Sequence, residues 1–199
     1  MPQNTERSRS WRNPTIFLMV ISVIVPIAFS SSMALLNNSV VERAQFNGAD
    51  IGLLQSIREI PGFLSFTAVF LLLFIREQRL LVISLGLLCF GTAITGYFPT
   101  LTGMLITTFI MSTGFHYFET LKQSLSLQWL NKEEAPEMLG RLISFGALAS
   151  LFTYGLLWVC LELIELDFQW VYLIFGGTAL LLVLFLGFAF PECLPIHHR

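Results

Sequence analysis

The sequence predicts an all-α membrane protein folded as one bundle of six transmembrane helices. Three observations carry that prediction. Apolar residues fill 55% of the 199 positions and charged residues only 12%, and the mean hydropathy is +0.73, far from the balance of a soluble domain. The apolar residues gather into stretches close to the ~20 needed to cross a hydrocarbon core at 1.5 Å per residue. The basic residues fall between those stretches, almost all on one side. With a net charge of −2 and no long basic tract, the chain is not suited to nucleic acid; its first partner is the lipid bilayer.

The expected spans, in order, are Pro14–Leu36, Ile51–Ile75, Leu80–Tyr97, Thr100–Leu125, Leu139–Leu161 and Phe168–Phe190. Pro14 suits a first helical turn, where no amide donor is needed. Pro99, after Tyr97 and Phe98, separates the third span from the fourth and sets aromatics where a membrane interface favours them. The charged segment Asn131–Glu137, with Pro136, is read as the loop before the fifth span. Residues 1–13 are expected to be a cytoplasmic segment, 14–190 one bundle and 191–199 a short cytoplasmic tail.

Orientation follows from the basic residues. With the N-terminus inside, Arg7, Arg9, Arg12, Arg76, Arg79, Lys132, Arg141 and Arg199 are cytoplasmic, and only Arg43 is outside. The expected location is a plasma membrane, the inner membrane of a bacterium. Arginines, an apolar run and Ser30–Ser31–Ser32 imitate a signal peptide, but the run is too long for one and five further spans follow. Cys89, Cys160 and Cys193 have no metal-like spacing and imply no disulfide framework.

Polar residues inside the spans carry the functional reading. In the second span Gln55, Arg58, Glu59 and Gly62 cluster over two turns, with Arg58 about 10 Å below the start of the span. Intramembrane charges mark substrate or ion paths, and they also fix helix packing. Adjacent helical residues diverge by about 100°, so Arg58 and Glu59 are expected to face apart and to need partners from other helices. Pro61 removes the amide that would bond the Ile57 carbonyl. In the fourth span Thr108, Ser112, His116, Glu119 and Gln123 recur on one helical face. An imidazole titrates near neutral pH, so a His116–Glu119 pair could pass a proton; Glu119 and Lys122 could equally reach the headgroups. Pro26 kinks the first span, with Ser30, Ser31 and Ser32 available to re-satisfy the freed backbone. In the fifth span Gly140, Ser144, Gly146, Ala147 and Ser150 read as helix packing, and the aromatics of the sixth as lipid-facing surface.

Six spans, an inward N-terminus, a very short cytoplasmic loop between the second and third, and polar first, second and fourth helices resemble the N-terminal six-helix half of a major facilitator superfamily transporter, over about Pro14 to Phe190. The loop Phe74-Ile75-Arg76-Glu77-Gln78-Arg79 keeps the basic residues of that family's G-x-x-x-D-R-x-G-R-R/K motif and lacks its glycines and aspartate. The fifth span lacks the proline of the antiporter signature. The segment Gly114-Phe115-His116-Tyr117-Phe118-Glu119 resembles a subfamily-specific stretch. The resemblance implies two inverted three-helix repeats, a cavity lined by the first, second, fourth and fifth helices, and lipid against the third and sixth. It implies secondary transport of a small solute coupled to protons, along Arg58, Glu59, His116, Glu119, Gln55 and Ser112. It also implies a second six-helix half or a homodimer partner, since the chain is expected to be a fragment, a truncated product or a half-size protein. No cofactor, metal or enzymatic motif is expected: there is no G-x-S-x-G serine, Glu133-Glu134 has no arginine four residues on, and His116 is the only span histidine. The alternative is a membrane assembly or sensor protein that moves no solute.

Overall fold

The computed structural model describes residues 13–42, 46–130 and 132–190, and among them it is helical without a strand. The terminal segments, with Arg7, Arg9, Arg12, Cys193 and Arg199, and also Arg43, lie outside the described residues. Helix α1 is Pro14–Glu42, α2 Gly48–Leu64, α3 Glu77–Thr95, α4 Leu101–Trp129, α5 Ala135–Trp158 and α6 Phe168–Ala189. A 3-10 turn, Ser65–Thr67, and a last helical turn, Ala68–Leu71, continue α2. A π turn, Val159–Leu163, continues α5.

Local chemistry sets the helix starts. Asn13 Oδ1 accepts the Ile16 amide at 2.8 Å, and Pro14 fills the first turn. Asn47 accepts the amides of Ala49 and Asp50, while Asp50 accepts the Asn47 amide, a reciprocal cap that starts α2 three residues before the expected span. Thr100 caps α4 through the Gly103 amide. Pro136 lies in the first turn of α5 and not in the loop, because a proline there forfeits no helical hydrogen bond.

Four segments are long and apolar enough to cross a membrane: Pro14–Leu36, Glu77–Thr95, Ala135–Leu163 and Phe168–Ala189. Six were expected. The two helices outside that set are α2, whose regular helix stops at Leu64 after Pro61, and α4, whose polar stripe lowers its hydropathy.

Helices α1, α3, α4 and α6 share the core, which includes Phe17, Leu85, Leu88, Phe118 and Val183. Helix α2 flanks it against α4, and α5 flanks it against α1. The closest approaches use glycines. A Cβ on Gly114 would stand 2.6 Å from the Ser84 carbonyl oxygen, and one on Gly91 would stand 2.8 Å from the Met111 amide, so α3 and α4 meet backbone to backbone. Gly176 sits likewise against Ala93, and Gly96 against Gln169, between α3 and α6. These pairs run α3 antiparallel to α4 and α6.

The α5 stripe divides. Gly146 faces the Ser22 carbonyl of α1, and Ser150 Oγ lies 3.0 Å from Ser30 Oγ, whereas Gly140 and Gly155 have open space before them. In α6, Trp170, Phe185 and Phe188 are exposed as expected, but Tyr172 and Phe175 are buried against Leu35, Leu157 and Val171. The sixth helix is therefore not an aromatic lipid face throughout.

Candidate functional site

Helices α2 and α4 run parallel, and three contacts set their register. The Ser112 hydroxyl donates to the Arg58 carbonyl, the His116 ring covers Gly62, and the hydroxyls of Thr67 and Tyr117 meet. A Cβ on Gly62 would lie 3.0 Å from His116 Cε1, so the glycine makes the room that the imidazole occupies. Pro61 loosens α2 at this level, and Ser112 supplies a donor to the neighbouring carbonyl from outside the helix.

Arg58 and Glu59 do not face apart. The Arg58 Nε and Nη2 groups both donate to Glu59 Oε1 at 3.1 Å. Backbone directions diverge by about 100° between neighbours, but the long arginine side chain curls back far enough to bridge them. Its Nη1 reaches Met33 Sδ of α1 at 3.5 Å. The Arg58 side chain is 28% exposed and that of Glu59 54%, so the carboxylate stands at the outer face of the bundle. One turn earlier on each helix, Gln55 Oε1 and Thr108 Oγ1 are buried without a hydrogen-bond partner. Two such atoms at one level form a polar spot inside an apolar interface.

His116 and Glu119 do not bond each other. Glu119 Oε1 accepts from Lys122 Nζ at 2.5 Å, and His116 packs edge-on to Phe115. Lysine at i+3 reaches the carboxylate directly, while the imidazole is turned to Gly62 and Phe115. Gln123, the last member of the stripe, is exposed. The stripe thus holds two separate polar centres, with Lys122 about 15 Å farther along α4 than Ser112.

The second centre borders a cleft. Ser22, Val25, Pro26, Phe118, Lys122, Ser126, Leu139, Leu142, Ile143 and Gly146 line a half-open space of ≈ 210 Å³ between α1, α4 and α5. Pro26 leaves the Ser22 carbonyl without its helical donor, and that carbonyl points at Gly146. Lys122 lies 5.4 Å from the Phe118 ring centre while bonded to Glu119. The lysine is about two-thirds buried, against Phe118 and Glu119. Its i+3 spacing to Glu119 is the sequence signal for this pair.

The three serines of α1 do not repair the Pro26 gap. Successive residues rotate by about 100°, so Ser30 turns to Ser150 of α5, Ser32 donates to Met111 Sδ of α4 at 2.6 Å, and Ser31 bonds the carbonyls of Ile27 and Ala28. Among the described residues no three His, Cys, Asp or Glu side chains gather as a metal site. No protein-family model matches the chain, and no curated protein matches it in sequence.

Proposed function

We propose that the chain is a membrane transport protein, a proton-coupled secondary transporter of a small solute that resembles the N-terminal half of the major facilitator superfamily. The single observation that carries this reading is where the polarity lies. Ion pairs lie midway along α2, Arg58–Glu59, and in the second half of α4, Glu119–Lys122, whose lysine lines the cleft between α1, α4 and α5. Intramembrane ion pairs beside a cleft are what a polar solute path requires.

On this reading α2 and α4 also span, giving six crossings. Helix α2 with its continuation to Leu71 is long enough, and α4 is longer still. Helix packing supports two inverted repeats: exchanging α1 with α4, α2 with α5 and α3 with α6 turns the α2–α4 pairing into the α5–α1 pairing and leaves α3–α6 unchanged. The outward-standing Glu59 carboxylate supports a second bundle against α2, either a partner or another copy of the chain. The N-terminus is inside on the balance of basic loop residues, in a bacterial inner membrane.

A second reading has its own observation. Arg58 and Glu59 neutralise each other, as a pair that fixes packing or captures a partner would, and an assembly or sensor protein would use them so. A thermal-shift screen of small solutes, followed by flux in liposomes with an imposed pH gradient, separates the two. Transport predicts gradient-driven flux that Glu119→Gln abolishes. If no solute is stabilising and none moves, the assembly reading stands.

A further inference from the structure

We infer that two copies of this chain pair in the membrane, with α2 of each packed antiparallel against α5 of the other. The inference rests on the membrane-bundle reading with a second bundle against α2, and it names that bundle and the contact. Side-chain size carries it. Along one exposed face of α2 and its continuation, at spacings of four, three, four, three and four, stand Gly52, Ser56, Glu59, Phe63, Phe66 and Phe70. One exposed face of α5, read backwards, has the same spacings: Trp158, Tyr154, Leu151, Ala147, Ser144 and Gly140. Set side by side in that order, a small residue meets a large one everywhere except at the central Glu59 and Leu151. Open space lies before Gly52 and Gly140. A groove of ≈ 570 Å³, bordered by Met19, Gly140, Ser144 and Leu148, lies where Phe66 and Phe70 of the second copy would enter. Close packing at small residues is what joins helices in lipid.

The chain's own contacts bring the two faces to the same depth. Ser112 bonds the Arg58 carbonyl, Ser32 bonds Met111, and Ser30 meets Ser150, so Glu59 and Leu151 lie level to within about one helical turn. Helices α2 and α5 stand on opposite flanks, α2 against α4 and α5 against α1. A half-turn about the membrane normal relates two copies inserted the same way, keeps every depth and exchanges the flanks. Each α2 then meets the other copy's α5, and the contact closes after two copies. The polar groups agree with this pairing. Both Arg58 donors go to Glu59 Oε1, which leaves Oε2 to accept. The exposed Tyr154 phenol of the second copy stands one turn from Glu59, on the outer side. Side chains tilt toward the N-terminus of their own helix, so in an antiparallel pair this phenol and carboxylate lean toward each other. A carboxylate 54% exposed midway along a membrane helix thereby meets a donor in place of hydrocarbon.

The test uses the full chain with its three cysteines changed to alanine, two single-cysteine forms expressed together, and copper phenanthroline as the oxidant in liposomes. Phe63→Cys with Ala147→Cys should give a cross-linked dimer. Phe63→Cys with Tyr154→Cys, two turns out of register, should give at least fivefold less. By mass in mild detergent, Ala147→Phe should lower the dimer fraction at least fivefold, because it opposes one ring to another. Adding Phe63→Ala to that chain should restore the dimer, which separates lost pairing from lost folding. Three results overturn the inference and leave both faces to lipid: no cross-link in register, equal yields in and out of register, or no rescue by Phe63→Ala. Cross-linking of Phe63→Cys to itself would set α2 against α2 and overturn it as well. If such a protein still moves a solute in liposomes, the transport reading stands alone; a paired protein that moves nothing keeps the pairing and removes transport.

Discussion

Gly114→Ala is the sharpest test of how the bundle is held. The added methyl would stand 2.6 Å from the Ser84 carbonyl oxygen and 2.9 Å from Leu88 Cα, and ordinary contact begins near 3.4 Å. Backbone atoms cannot swing aside as a side chain tip can, so α3 and α4 must part by about 1 Å. A gap of about 0.5–1 Å forfeits a quarter to a half of each dispersion contact. The loss spreads over a seam that buries Leu81, Leu85, Leu88, Met111 and Phe118. In a membrane this packing, not hydrophobic burial, holds helices together. The upper end of the overpacking range follows, about 2–3 kcal/mol.

Gly140→Ala and Gly155→Ala are the matched controls, because open space faces both glycines. They should leave stability unchanged or raise it by up to about 1 kcal/mol through helix propensity. SDS titration in mixed micelles, followed by far-UV circular dichroism, gives the ranking. Adding Gly91→Ala to Gly114→Ala should cost less than Gly91→Ala alone, since one separation relieves both clashes. If Gly114→Ala unfolds at the same SDS fraction as Gly140→Ala, the backbone contact between α3 and α4 is not what sets their spacing.

Three further outcomes are expected. Ser112→Ala, which removes the donor to the Arg58 carbonyl, should lose about 1 kcal/mol in the same titration, and an unchanged midpoint would remove Ser112 from the α2–α4 register. Single cysteines at Ala49 and Arg76, both exposed and separated by α2 alone, should react with impermeant maleimide from opposite faces of the membrane; labelling from one face would refute the crossing of α2 and with it the six crossings. Mass measured in mild detergent should exceed one chain per particle, and a monodisperse monomer that still transports would remove the need for a second bundle against Glu59.

The helical class was legible because it depends on composition and run length, and the starts of α1, α4 and α6 were legible to within a residue because starts are set locally. Helices α2, α3 and α5, by contrast, begin three or four residues before the expected spans. Asn13, Pro14 and Thr100 act within one turn of their own position. Partnership was less legible. Nothing local distinguishes Gly114 from Gly140; one meets a backbone and the other meets space, and only the neighbouring helix decides which. The Arg58–Glu59 pairing was misjudged because Cβ directions were applied to a side chain with several rotatable bonds. The expected His116–Glu119 bond failed for a related reason: a nearer full charge, Lys122, competed for the same carboxylate. The polar stripe of α4 was read correctly as one face, but two helices divide that face, α2 at Ser112 and His116 and the cleft at Lys122.

That division bears on how such a bundle could work. In the proposed inverted arrangement the two parallel pairs are built alike: a flanking glycine receives a group from its partner, Gly62 from His116 and Gly146 from Ser22, and a serine hydroxyl crosses each seam, Ser112 to Arg58 and Ser150 with Ser30. The scaffold is therefore nearly symmetric while the chemistry is not. One seam carries an imidazole and the Arg58–Glu59 pair, and the other carries hydroxyls, a freed carbonyl and, at its exposed start, the Glu137–Arg141 pair. Each flanking helix is held by few buried side chains, Leu54 and Pro61 on α2 and Leu142, Thr153 and Leu157 on α5. Buried packing is densest on α3, α4 and α6 and thinnest on α2 and α5. Helix α2 borders His116 and Ser112, and α5 borders the cleft at Lys122, so the polar groups of α4 face the two elements with the fewest buried side chains.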